Sequence, residues 1–250
     1  MSLPRFLIGR DVAEGERIEL ATEEAKHARV RRLRPGEPVV LFDGAGRSWL
    51  GVIDVCSRRA VEVVVTKRFP EREGESLLDL TLALAVLKSD RIDWVVEKTT
   101  ELGVSRIRPF VSQHSLARPS AARQARWRQI ALSAAKQCGR TVVPRVEAAV
   151  DWKVLLGEPS PCRLLFWGTS EARPFGEMAA VFPRPEQVTV IIGPEGGFAA
   201  AEIDAARSAG CDLIGLGPRI LRAETAAVVA VALSQHLWGD LCHQGLTAPP

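Results

Sequence analysis

Two glycine-bearing segments combine residue types that could do chemistry. The first is Ile191-Ile192-Gly193-Pro194-Glu195-Gly196-Gly197-Phe198. Glycines let a backbone approach a ligand closely and present its N–H and C=O groups, and Glu195 adds a proton acceptor between them. The spacing is neither the GxGxxG of dinucleotide binders nor a Walker A loop. The second segment runs from Leu216-Gly217-Pro218-Arg219 through Ile220-Leu221-Arg222-Ala223 to Glu224-Thr225-Ala226. It sets two arginines and a glutamate around an apolar Ile-Leu pair. Glu224 and Thr225 suit the start of a helix, where acids favour the dipole; that role does not account for Arg222.

Both segments lie where a strand gives way to a helix. Val188 to Ile192 and Asp212 to Leu216 are apolar, strand-like runs. Ala200 to Ala209, closed by Gly210, and Glu224 to Trp238 have helical character. In parallel α/β sheets ligands bind at the carboxyl ends of the strands, so the two segments can meet at one edge. The rest of residues 73–250 fits such a sheet. Leu80 to Leu87 is nearly unbroken in apolar residues, as expected of a strand covered on both faces. Ile92, Val95, Val96, Thr99 and Leu102 form a helical stripe closed by Gly103. Ile107 to Val111 and Arg163 to Trp167 read as strands, and Trp127, Ile130, Ala131, Ala134 and Cys138 as a second stripe, ended by Gly139. Strands alternating with helices predict an α/β domain with a mostly parallel sheet.

Residues 1–72 read differently. Glu37 to Phe42, Trp49 to Val55 and Ala60 to Thr66 form a β-meander. Asp43-Gly44-Ala45-Gly46 supplies a turn, since Asp-Gly tolerates positive φ. Thr22 to Val30 is predicted as a short helix with Thr22 as its cap. A small β-barrel follows, with Phe69 to Ser76 as a linker to the second domain.

Hydrophobic residues make up 46% and charged residues 25% of the 250 positions, an ordinary globular composition. No apolar run reaches membrane-spanning length. The opening Met1-Ser2-Leu3-Pro4-Arg5-Phe6 lacks the apolar core of a signal peptide, so a cytoplasmic location is expected. Cys56, Cys138, Cys162, Cys211 and Cys242 form no CxxC pair, which argues against a disulfide framework or zinc site, and the four histidines are scattered.

The net charge of +3 is small, but the charges are segregated. Ala25 to Gly36 has no acid and carries Lys26, Arg29, Arg31, Arg32 and Arg34. Leu102 to Val146 has no acid and nine basic residues. Two such runs suggest a polyanion held by both; the alternative is a pair of solvated faces balanced by acids nearby in space. On a helical projection Arg126, Gln129, Ser133, Gln137 and Arg140 share a stripe that could grip phosphates.

The two glycine-bearing segments resemble the cofactor loops of the SPOUT methyltransferases, in particular the 16S rRNA uridine N3-methyltransferase (RsmE) family. Leu87-Lys88, Glu97-Lys98-Thr99-Thr100-Glu101-Leu102-Gly103-Val104, and Arg126-Trp127 continuing to Ala134-Ala135-Lys136-Gln137-Cys138-Gly139-Arg140, with Pro144 after it, are similar to that family. So are His27, Arg31-Arg32-Leu33-Arg34-Pro35-Gly36 and Asp43-Gly44, which resemble its PUA-like, RNA-binding β-barrel. One departure is Ser112-Gln113-His114-Ser115, where the family usually has an acidic residue and an arginine before the serine.

The resemblance implies a PUA-like barrel in residues 1–72. It implies a SPOUT-type α/β domain in residues 73–250, with a trefoil knot and dimerisation. It implies S-adenosylmethionine as cofactor and no metal. The expected partners are a second copy of the chain, with the active site at the subunit interface, and 16S rRNA or the assembled small ribosomal subunit; no membrane is involved. Uracil N3 is a poor nucleophile until it loses its proton. An arginine near the base could stabilise the developing anion, which makes Arg222 the first catalytic candidate, with Glu195 as proton acceptor or orienting group. Ile220 and Leu221, with backbone groups from Gly193, Gly196, Leu216 and Gly217, would hold adenine and ribose. Trp167 would line the same pocket, and Ile192, Gly197 and Ala226 complete the cofactor set. Arg29, Arg31, Arg32 and Arg34, with Arg126 and Arg140, are the expected RNA contacts. Other readings stay open: a SPOUT enzyme acting on tRNA or ribose, a nucleotide-dependent oxidoreductase (whose fingerprint is missing), and a non-catalytic RNA-binding ribosome assembly factor.

Overall fold

The computed structural model describes residues 3–87, 89–115, 118–169 and 171–241; Lys88 and Cys242 lie outside the described residues. The chain divides into two compact units. Of the described residues, one comprises residues 3–75 and 135–143, the other those from 76 to 134 and from 144 to 241.

The first unit contains β1 (Arg5–Leu7), β2 (Arg17–Glu19), α1 (Thr22–Val30), β3 (Pro38–Phe42), β4 (Ser48–Cys56) and β5 (Val61–Arg68). The strands form one sheet in the order β1-β3-β4-β5-β2. Only the β1–β3 pair is parallel. Alternation explains the core: in β5, Val61, Val63 and Val65 are buried while Glu62 and Val64 are not, as the two-residue period of a pleated strand requires. They pack with Phe6, Leu41, Trp49, Ile53 and the α1 residues Ala25 and Ala28. Thr22 is not the cap of α1. The cap position is Ala21, without a side-chain hydrogen bond. The Asp-Gly turn is held by its acid: Asp43 accepts from the Ala45 N–H at 2.8 Å and the Arg47 N–H at 3.0 Å. Burial pushes its carboxyl up, but these bonds and Arg47 bring it below its ordinary range.

Phe69 to Ser76 is not a free tether. The Arg72 N–H donates to the Gly46 carbonyl at 2.7 Å. The Glu75 side chain, 2% exposed, pairs with Arg140, 8% exposed, at 2.9 Å. Glu75 also accepts from the backbone N–H groups of Thr141 and Val142 at 2.7 and 2.8 Å. The composition of a linker is thus compatible with a fixed strap, because one buried carboxylate finds partners 65 to 67 positions away.

The second unit is built from β6 (Asp79–Ala85), α2 (Ser89–Glu101), β7 (Arg106–Val111), α3 (Ala121–Cys138, whose last turn is counted with the first unit), β8 (Arg145–Val146), β9 (Val150–Asp151), α4 (Trp152–Gly157), β10 (Arg163–Phe166), β11 (Arg173–Pro174), α5 (Met178–Val181), β12 (Gln187–Ile192), α6 (Ala200–Ser208), β13 (Asp212–Gly215) and α7 (Ala223–Trp238). The sheet order is β11-β13-β10-β12-β6-β7-β8, with β9 also on β7, and every pairing is parallel. In β6 every residue from Leu80 to Ala85 is buried. On one face Ala83 and Ala85 join Phe110, Leu165 and Ile191 under Trp152 and Leu155 of α4 and Ile203 and Ala206 of α6. On the other, α7 packs on β6, β12 and α2. A sheet covered on both sides removes the need for alternation.

Burial pushes the Cys162 thiol up to about 12, and Cys211 is raised for the same reason, so neither supplies a thiolate at neutral pH. Among the described residues no group of three or more His, Cys, Asp and Glu could hold a metal ion, and no helix is long and apolar enough to cross a membrane.

Candidate active site

Parallel pairing sets β13, β10 and β12 side by side with their carboxyl ends at one edge. The chain leaving β12 forms the first glycine-bearing loop and the chain leaving β13 forms the second. Between them is a cavity of about 370 Å³, within the usual range for small-molecule sites of roughly 300–1,000 Å³. Trp167, just past β10, lies on its wall with Ile192, Gly193, Glu195 and Gly197 of the first loop. Leu216, Gly217, Ile220, Leu221, Arg222 and Ala226 line it from the second loop and the start of α7.

Gly196 is not among the lining residues. A Cβ there would sit 3.1 Å from the His114 Cβ, so this glycine lies toward the neighbouring 112–115 loop. Gly193 is the position where close approach demands glycine: a Cβ would come within 2.7 Å of the Phe198 ring. Phe198 is itself held against Trp152 and Phe110, with ring centroids 5.1 and 6.3 Å away. The 112–115 loop braces the first glycine loop from outside. His114 Nδ1 lies 3.1 Å from the Gly197 carbonyl. Glu202 accepts from the N–H groups of Gln113 at 2.8 Å and Ala199 at 2.9 Å.

Arg222 occupies the cap position of α7 with extended backbone. Its side chain is exposed at the cavity and meets no hydrogen-bond or ion-pair partner among the described residues. Glu224 turns instead to Arg91, 3.5 Å away, and Arg91 also lies 3.4 Å from Glu195. Arg91 lines the cavity and was missed in the sequence. A signal existed: α2 begins at the carboxyl end of β6, the edge where the two loops lie. Ile220 is 92% exposed on the rim; covering such a side chain is favourable at about 25 cal/mol per Å².

The expected RNA contacts divide. Arg31, Arg32 and Arg34 are exposed and Arg29 is half-buried. Arg126 is exposed but its Nε donates to Asp93 at 2.7 Å. Arg140 is 8% exposed and donates from Nε and Nη2 to the buried Glu75, so burial withdraws it from the surface stripe expected to face phosphates.

Comparison with known proteins agrees with this geometry. Residues 74–235 match an RNA methyltransferase domain family, and residues 20–66 match an RNA methyltransferase PUA domain. The chain is 30% identical to ribosomal RNA small subunit methyltransferase E of Synechocystis, over 82% of this chain and 67% of that protein. It is 31% identical to the protein of the same name from Mycobacterium bovis, over 84% and 82%. The crystal structure of ribosomal RNA small subunit methyltransferase E from Neisseria gonorrhoeae, bound to S-adenosyl methionine, superimposes with a TM-score of 0.90 at 32% identity, covering 96% of this chain and 99% of that one. With both units matched and the cavity built from the two loops singled out in the sequence, the chain belongs to the RNA methyltransferase family that includes ribosomal RNA small subunit methyltransferase E.

Proposed function

We propose that this chain methylates N3 of a specific uridine in 16S rRNA of the small ribosomal subunit, with S-adenosylmethionine as methyl donor. The observation that carries the reading is an arginine, Arg222, without a partner among the described residues, at a cavity formed by two strand-end loops, in a fold shared with a cofactor-bound relative. Residues 1–72 are assigned to RNA binding and residues 73–250 to cofactor binding, catalysis and dimerisation. The proposal includes a homodimer and action in the cytoplasm, where ribosomal RNA is found.

The residues present fit the cofactor. Glycine backbone, the apolar Ile220 and Leu221, and the indole of Trp167 offer an amphipathic wall for a nucleoside. When bound, S-adenosylmethionine supplies an electrophilic methyl group on a sulfonium. The chain's own contribution is positioning. The two loops orient the reacting partners, and Arg222 stabilises the anion developing on the uracil as N3 loses its proton. Glu195 accepts that proton or orients the base, and Arg91, in reach of both Glu195 and Glu224, ties the two loops together. Calorimetric titration with S-adenosylmethionine tests the assignment. Heat at a one-to-one ratio is expected; none would reduce the chain to a pure binding module.

The same titration separates the glycines. Gly193→Val should displace Phe198 and cost about 1–3 kcal/mol by overpacking, with cofactor affinity falling alongside. Gly196→Val presses on His114 and should weaken cofactor binding less. Equal losses in the two variants would return Gly196 to the cavity wall.

A further inference from the structure

The two acid-free basic runs look alike in sequence, and the structure separates them. In the second run Arg108 meets Glu147 and Glu158, Arg118 meets Asp151, Arg126 meets Asp93, Lys136 meets Glu24 and Arg140 meets Glu75. That run is largely neutralised by acids brought from elsewhere. Within the first unit, Arg10, Arg17, Arg47 and Arg68 are paired in the same way. The arginines at the end of α1 are not: Arg29, Arg31, Arg32 and Arg34 make no ion pair among the described residues. Glu24, on the same helix, serves Lys136. Glu37 stays at this turn, where its carboxylate accepts the Arg34 backbone N–H at 2.9 Å, one acid against four arginines.

A second element joins this surface. Arg29 Nε donates to the Ser57 carbonyl at 2.9 Å, which fixes the tip of the β4–β5 hairpin beside the end of α1. The next two residues at that tip, Arg58 and Arg59, are exposed and also lack an ion pair among the described residues. The Ser57 hydroxyl shapes the tip, standing 3.2 and 3.1 Å from the Arg59 and Ala60 N–H groups. Arg32 holds a left-handed backbone, with φ +57°. It ends α1: its N–H donates to the Arg29 carbonyl at 2.9 Å and the Leu33 N–H to the Ala28 carbonyl at 3.2 Å, the bonds that close a helix C-terminus and turn Arg31, Arg32 and Arg34 onto the helix end.

We infer that the β4–β5 hairpin tip, through Arg58 and Arg59, and the end of α1, through Arg29 to Arg34, form one surface for the phosphate backbone of RNA, with Arg29 as the brace between the two elements. Like-charged guanidiniums left unpaired on one face repel one another, and a polyanion relieves that cost while releasing its own counterions. This rests on the proposed RNA methyltransferase reading and adds to it a contact element that the sequence run alone does not contain.

The test is binding of a synthetic RNA hairpin to the full chain across a series of salt concentrations, with S-adenosylmethionine affinity measured on the same preparations. Each lost phosphate contact should reduce the slope of log affinity against log salt by about 0.7–0.9. The Arg58→Ala/Arg59→Ala variant should therefore be shallower than wild type by about 1.5, and Arg58→Lys/Arg59→Lys should restore the slope, because phosphate contacts need charge. Arg10→Ala, which removes a paired charge, should change it by less than half as much. An unchanged slope in the double alanine variant, or equal flattening by Arg10→Ala, overturns the surface while leaving the methyltransferase reading intact if the cofactor still binds. A wild-type chain that binds neither RNA nor cofactor overturns both.

Discussion

Replacing Arg222 by lysine should lower single-turnover methyl transfer on the order of 100-fold, about 3 kcal/mol, the loss typical of removing one donor from a site that stabilises developing negative charge. Lysine keeps the charge but loses the planar fork of donors. The rival view makes Arg222 a brace for its own loop, with Glu224 as the natural partner. The structure gives Glu224 a different partner, Arg91, and leaves the Arg222 guanidinium without one among the described residues. S-adenosylmethionine affinity and melting temperature should therefore stay near wild-type values while the rate falls, the pattern of an interaction made mainly in the transition state. A parallel decline in all three quantities would remove Arg222 from the catalytic assignment.

The largest expected effect on stability lies in the first unit. Glu75→Ala should destabilise the chain by about 3–5 kcal/mol, because it removes one partner of a buried ion pair. It also removes the acceptor for the Thr141 and Val142 N–H groups. Glu75→Gln keeps an acceptor of the same shape and should cost less. For a chain of this size the alanine variant should melt on the order of 10 °C lower. A shift of only a degree or two, with intact cooperativity, would mean that Arg140 finds water or another carboxylate, and that the strap contributes little.

How much of this was legible in the sequence depends on the range of the interactions involved. β6 and the stripes of α2 and α3 were readable because each records its own burial in its own periodicity. The short strands β1, β2, β8, β9 and β11 were missed: two or three residues carry no period. The two glycine-bearing loops that line the cavity were legible because glycine at the end of an apolar strand is a local statement about backbone approach, and parallel topology then brings them together. Gly196 shows the limit of that argument, since the side its Cβ would face depends on His114, a residue 82 positions earlier. The Phe69 to Ser76 strap and the two basic runs show the same limit for charge. Composition marks a charged stretch, but only the fold says which carboxylates reach it, and here that separates a largely neutralised run from an open cationic face. The knot was never legible in composition or periodicity; that expectation came only from the family resemblance.

The central claim is best tested by incubating the purified chain with unmodified small ribosomal subunits, or their free 16S rRNA, and S-adenosylmethionine carrying a labelled methyl group, then digesting the RNA and identifying the labelled nucleoside. Stoichiometric label in a single N3-methyluridine is expected, lost in the Arg222→Lys variant under the same single-turnover conditions. Label on a ribose hydroxyl, on another base, or nowhere in an RNA that the chain demonstrably binds would contradict it.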